Sequence, residues 1–123
     1  WPQAVWEKLV YPSKNIKMVL CGHSGETPKM ADLNNIDYKP SSSFRIDKAH
    51  DGRNVVQMMF NSQQGDGNWN GNGGDCWLRI LEFKPDGKSI GVRTFSPLFA
   101  LSKRTQHMAW RTDDYDQFVI TIE

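Results

Sequence analysis

The sequence predicts an α+β protein, mostly antiparallel β. Three observations carry that expectation. Helical periodicity is confined to the opening segment, WPQAVWEKLVYPSKN. The segments after residue 43 repeat their apolar residues at strand period. Two turn signals, His50-Asp-Gly-Arg and Lys84-Pro-Asp-Gly-Lys, each stand between a pair of such segments.

In the opening segment, Pro2 suits a first helical turn, where its missing N–H costs nothing. Trp1, Val5 and Leu9 fall at i, i+4 and i+8, and with Trp6 and Val10 beside them they predict one broad apolar face. Pro12 disfavours a helical Tyr11 and ends the segment. Ile16 to Cys21 then reads as a buried strand that stops at Gly22-His23. A helix leading into such a strand looks like the last unit of a layered α/β sheet. That strand needs neighbours and covering layers which a dozen helical residues cannot supply, so the chain reads as starting partway through an architecture.

From Ser24 to Ser43 the composition is polar, with Pro28, Pro40 and a serine triplet, and predicts a loop. Phe44–Lys48 and Asn54–Asn61 are strands about the Asp51-Gly52 turn. The Gly- and Asn-rich stretch QQGDGNWNGNGGD is a second loop. Cys76–Phe83 and Ser89–Ser96 are strands about Pro85-Asp-Gly. In the latter, Ile90, Val92 and Thr94 alternate with Gly91, Arg93 and Phe95. A last strand, Asp116–Ile122, alternates Phe118, Ile120 and Ile122 against polar neighbours, as a sheet with one face in water requires. The expected divisions are residues 1–25, the last helix–strand unit of one sheet, and 26–123, the strands of a second sheet and a C-terminal meander.

A chain of 123 residues, 38% apolar with a net charge of +1, is an ordinary globular composition. No basic excess marks a nucleic-acid or membrane-surface binder. The longest apolar run, Met18 to Cys21, falls far short of the ~20 residues that span a bilayer. The chain starts Trp1-Pro2 with neither an initiator methionine nor a leader. Its N-terminus is therefore expected to result from processing or design, and a secreted, periplasmic or other location stays open. Cys21 and Cys76 read as inert buried thiols rather than a disulfide, since nothing in the sequence brings their Cα atoms within ~7 Å.

His23 is the candidate ligand. A glycine and a histidine at the carboxyl end of a strand are where α/β enzymes often place a ligand or metal. Three readings stand: a metal ligand, half of a lost site, or an ordinary strand-end histidine. A zinc or manganese site usually takes three or more protein ligands. Glu26 is the only nearby carboxylate, and His50 and His107 are the other imidazoles that could reach it. Asp66-Gly-Asn-Trp-Asn-Gly matches the opening of a calcium loop, but its twelfth position is Trp77 and its flanks are strands, so it reads as a hairpin loop. A Gly-x-Ser-x-Gly elbow, a P-loop and a dinucleotide glycine pattern are all lacking. Trp1, Trp6 and Trp77 sit in patterned segments and predict core. Trp69 and Trp110, in loops, are the candidates for stacking on a sugar or protein partner.

Lys17-Met-Val-Leu-Cys-Gly-His, after its helix, resembles the last metal-binding motif of calcineurin-like metallophosphoesterases, in which Gly-His-x-His follows the final strand of the catalytic sheet. Asn54-Val-Val-Gln-Met-Met-Phe-Asn-Ser-Gln, then Gly73-Gly-Asp-Cys-Trp-Leu-Arg-Ile-Leu-Glu-Phe, then Pro85-Asp-Gly-Lys-Ser-Ile-Gly-Val-Arg-Thr-Phe-Ser-Pro are similar to the C-terminal portion of a bacterial branch of that family. The likeness covers most of the chain, least clearly residues 27–43. It implies a four-layer αββα fold of two face-to-face sheets. It also implies two divalent cations, Mn, Fe or Zn, activating a water against a phosphoester substrate. His23 matches the first histidine, a ligand of the second metal. Gly25 stands where the second histidine would be, and Cys76 replaces an expected glycine. The family's Asp-x-His, Gly-Asp-x-x-Asp and Gly-Asn-His motifs do not occur in these residues. The implied function is therefore the C-terminal part of a metal-dependent phosphoesterase, binding no metal and inactive alone, and self-associating through its incomplete sheet edge. The alternative is a non-catalytic β-rich binding module using Trp69 and Trp110.

Overall fold

The computed structural model describes residues 2–23, 42–62 and 75–122. It is mixed α and β, with seven strands in two sheets among the described residues. β1 (Met18–Cys21), β2 (Ser42–Lys48) and β3 (Asn54–Phe60) form the first sheet in the order β1-β3-β2. β1 runs parallel to β3, with Met18 opposite Val56 and Cys21 opposite Met59, while β2 and β3 are an antiparallel hairpin. β4 (Leu78–Phe83), β5 (Ser89–Phe95), β6 (Trp110–Arg111) and β7 (Phe118–Thr121) form the second, entirely antiparallel sheet. β5 is its hub: β4 takes one edge, and β6 and β7 share the other. The strands beyond residue 43 thus make two hairpins in different sheets rather than one meander.

Alternation along β3 sorts the layers. Val56 and Met58 meet Ile90, Val92 and Ile120 of the second sheet in one core, joined by Met18, Leu81 and Phe118. Val55, one residue out of phase, faces the other way and packs with Val10, Ala49, Trp6, Ile16 and Val19. A period of two sends successive residues to opposite faces, so β3 is buried on both. Two sheets packed face to face, with the N-terminal helix on the outer side of the first, follow from these two clusters. Ile90, Val55 and Val92 are fully buried.

Both turn signals form turns. The Gly52 amide donates to the Ala49 carbonyl over 3.0 Å, and that of Gly87 to Lys84 over 3.1 Å. Gly52 and Gly87 have φ of +82° and +68°, the left-handed region that glycine enters freely. Asp86 Oδ1 accepts from the amides of Lys88 and Ser89, which closes the second turn.

Several sequence expectations need correction. The N-terminal segment is α-helical only over α1 (Pro2–Val5) and continues as a π-helical turn, Trp6–Val10. The wider turn rotates the helix phase, so Trp6 and Val10 face the sheet while Val5 and Leu9 point to solvent. Trp1 lies outside the described residues. The first strand starts at Met18 rather than Ile16 and is not buried on both faces. It is an edge strand in the described sheet, and Leu20 is 57% exposed. The last strand starts at Phe118, because Asp116 and Gln117 donate their amides to the Asp113 carbonyl in a turn. Cys21 and Cys76 are free, as expected, but exposed rather than buried. Between β5 and β6 the chain forms α2 (Pro97–Ala100), capped by the Ser96 hydroxyl, and a one-turn 3₁₀ helix, Gln106–Met108, neither of which the strand periodicity indicated.

Candidate functional site

β1 delivers Gly22 and His23 to the carboxyl end of the parallel β1–β3 pair. At Gly22 the chain passes so close to β3 that an added Cβ would lie 2.9 Å from the Phe60 carbonyl oxygen. That contact is shorter than side chains tolerate, so a glycine belongs there. His23 follows with φ of +56°, a left-handed conformation that costs a β-carbon-bearing residue roughly 1–2 kcal/mol. The chain bends at His23, whose side chain is exposed at the strand end.

The other sequence candidates do not gather there. His50 sits in the β2–β3 turn, at the opposite end of β3. The seven residues of that strand span about 20 Å at ~3.3 Å each, which keeps the two imidazoles apart. His50 Nδ1 lies 2.9 Å from the Tyr11 carbonyl, to which it donates, and its ring meets the Tyr11 ring edge-on. It secures the helix end. His107 belongs to the 3₁₀ turn beyond β5 and is exposed. Glu26, Gly25, Trp69 and the Asp66 loop lie outside the described residues. No group of three or more His, Cys, Asp or Glu side chains converges among the described residues. A two-metal centre asks for several such donors. At the Gly22 strand end the described residues bring no second donor to His23, and they do not fit such a centre by themselves.

Trp77 is core, edge-on to Phe99 at 5.5 Å with the Arg111 guanidinium 4.3 Å over its ring. Trp110 is 39% exposed, and its ring lies 4.4 Å from Phe95 and 4.0 Å from the Arg93 guanidinium, so part of its surface is engaged within the chain. Asp75 and Cys76 enter β4 with φ of +48° and +56°. The glycine expected in place of Cys76 would suit that conformation.

Two buried arginines organise the fold and escaped the sequence reading. Arg53 donates to the carbonyls of Val10, Ser13 and Ile16, gathering the chain between the helix end and β1. Arg79 of β4 sits between the sheets. Its Nη2 donates to Ser42 Oγ at 2.9 Å, the Tyr115 carbonyl at 2.7 Å and Asp116 Oδ1 at 3.3 Å, and its Cζ lies 4.5 Å from the Phe60 ring centre. Burial lowers the Arg79 pKa, Asp116 opposes the shift, and Arg111 adds to it. Arg79 carries one sequence signal, its place on the same face of β4 as the core residue Leu81, whereas Arg53, in the β2–β3 turn, carries none.

No protein-family model matches the chain, and neither a curated protein nor a solved structure matches it. Among the described residues no helix is long and apolar enough to cross a membrane.

Proposed function

We propose that this chain supplies the last metal-binding strand of a metal-dependent phosphoesterase that hydrolyses phosphomonoesters or phosphodiesters with metal-activated water. The observation that carries the reading is the Gly22-His23 turn, a glycine dictated by the Phe60 carbonyl followed by an imidazole at the carboxyl end of a parallel strand pair. Enzymes that act on phosphoryl groups from the ends of parallel strands place ligands in such turns. His23 would then be one ligand of a Mn, Fe or Zn ion, with the remaining ligands supplied by chain carrying the carboxylate and histidine motifs that these residues lack. Phosphoester hydrolysis is not expected from the 123 residues alone.

The coding sequence ahead of Trp1 gives the first test. Asp-x-His, Gly-Asp-x-x-Asp and Gly-Asn-His motifs in that order support the reading, and a start codon or signal peptide directly before Trp1 overturns it. In the polypeptide that carries those motifs, His23→Ala is expected to lower Mn-dependent hydrolysis of p-nitrophenyl phosphate or its diester by at least about 10²-fold, the order seen when a group stabilising developing charge is removed. Unchanged hydrolysis would refute the role of His23.

A further inference from the structure

The chain between β5 and β6, Pro97–Ala109, is a closed loop rather than a loose connection. The Ser96 amide donates to the Ala109 carbonyl over 2.8 Å and shuts its base. Inside, the Thr105 hydroxyl donates to the Phe99 carbonyl at 2.8 Å, Phe99 meets the Trp77 ring, and Ala109 is buried. A loop packed on some of its own side chains presents the others outward. Those are of two kinds. Leu98, Leu101 and Met108 are exposed, Leu101 by 86%. Lys103 and Arg104 are exposed between them in the chain and make no ion pair among the described residues. No Asp or Glu occurs between Gly87 and Thr112, and Arg93, over the exposed Trp110 ring, adds a cation just outside the base. The overall charge of +1 conceals this local excess.

We propose that this loop docks on the surface of an anionic lipid bilayer, with Leu98, Leu101 and Met108 entering the boundary between headgroups and acyl chains while Lys103 and Arg104 meet the lipid phosphates and carboxylates. Exposed apolar side chains gathered on one loop among polar ones mark an interaction surface. The charge beside them selects the occupant. An anionic bilayer takes both kinds of side chain at once, because its interface is negative above and apolar below. Long cationic side chains lay their stems along apolar surface and keep their heads in the polar layer. An acidic polymer would satisfy Lys103 and Arg104 but leave Leu101 in water, and an apolar protein groove would strand the two cations. Nothing in this inference requires a metal or the phosphoesterase reading.

Cosedimentation of the chain with vesicles of equimolar phosphatidylcholine and phosphatidylserine tests the proposal. Saturable binding is expected, with none to phosphatidylcholine alone at the same lipid concentration. Lys103→Gln and Arg104→Gln should each weaken it about fivefold. Leu101→Ser should weaken it about tenfold. Its melting curve should not move, because so exposed a side chain adds little to the fold. No binding to the mixed vesicles, equal binding to phosphatidylcholine alone, or full binding by any of these variants would overturn the proposal. Saturable binding to polyglutamate with none to vesicles would also overturn it, assigning the loop to an acidic polymer. So would a dimer in sizing chromatography that Leu101→Ser dissociates, which would assign the loop to a second copy of this chain.

Discussion

Asp116→Asn isolates the charge at the centre of the molecule. The Asp116 carboxylate is 2% exposed and lies 3.3 Å from Arg79 Nη2. Asparagine keeps the shape and the acceptor oxygen but removes the charge that compensates the buried guanidinium. Two unit charges at that distance attract by about 5 kcal/mol with an effective dielectric of ~20, and by less between charge centres farther apart. Part is recovered because Arg79 still donates to Ser42 and the Tyr115 carbonyl. A loss of about 3 kcal/mol is expected, at the lower end of what breaking a buried ion pair costs. For 123 residues, an unfolding entropy of about 0.26 kcal/mol/K turns that into a fall in Tm of roughly 12 °C. Urea melts followed by tryptophan fluorescence give the free energy directly. Arg79→Met combined with Asp116→Asn should be more stable than the sum of the two single losses, because the double variant strands no charge. A loss below about 1 kcal/mol for Asp116→Asn, or strict additivity in the cycle, would show that the pair is not the compensated buried unit described here.

Cys76→Gly should stabilise the chain by about 0.5–1 kcal/mol, because relief of the left-handed strain at φ +56° exceeds the added freedom of glycine in the unfolded chain; chemical denaturation checks it. Gly22→Ala should cost about 1–3 kcal/mol by driving a Cβ against the Phe60 carbonyl, and should lower Tm measured by calorimetry. Hydrogen bonds from the Ser89 hydroxyl and then from the Ser89 and Lys88 amides lower the Asp86 pKa to about 2. A depressed carboxylate contributes stability that is full above its unfolded pKa of ~3.8 and is lost as pH falls through the folded value. The stability difference between the parent and Asp86→Asn should therefore be constant above about pH 4 and shrink toward pH 2. Because β1 is an edge strand in the described sheet and carries an exposed Leu20, sizing chromatography should show concentration-dependent self-association that Leu20→Lys reverses.

The hairpins were legible in the sequence because their signals are local. Asp51-Gly52 and Asp86-Gly87 need glycine at positive φ, and the alternation of Ile90, Val92 and Thr94 states which face of β5 is buried. The helix face was misjudged because a π turn shifts the phase after Val5, and a 3.6-residue template cannot register that shift. The inner arginines were missed because each acquires its meaning from residues distant in sequence: Arg79 from Ser42, Tyr115 and Asp116, and Arg53 from three carbonyls on the far side of β1. At the candidate site, the sequence offered Gly22 and His23 as a motif. The reason for the glycine lies in the Phe60 carbonyl, a backbone atom that no pattern displays.

The unequal spans of the strand pairings fix an order of assembly. β4 and β5 meet across a short turn tightened by Asp86 and Gly87, and β2 and β3 close nearly as locally. β1 pairs with β3 across more than thirty residues of intervening chain, with Met18 opposite Val56. Closure entropy grows with loop length, and an edge strand recovers only one ladder of hydrogen bonds in return. β1 is thus expected to dock last and to open first, with its amides exchanging hydrogen ahead of those of β3 and β5. The Gly22-His23 turn hangs from the most loosely held strand of the first sheet. Any ligand gripped there would act as a latch, slowing the peeling of β1 without altering the hairpins beneath it.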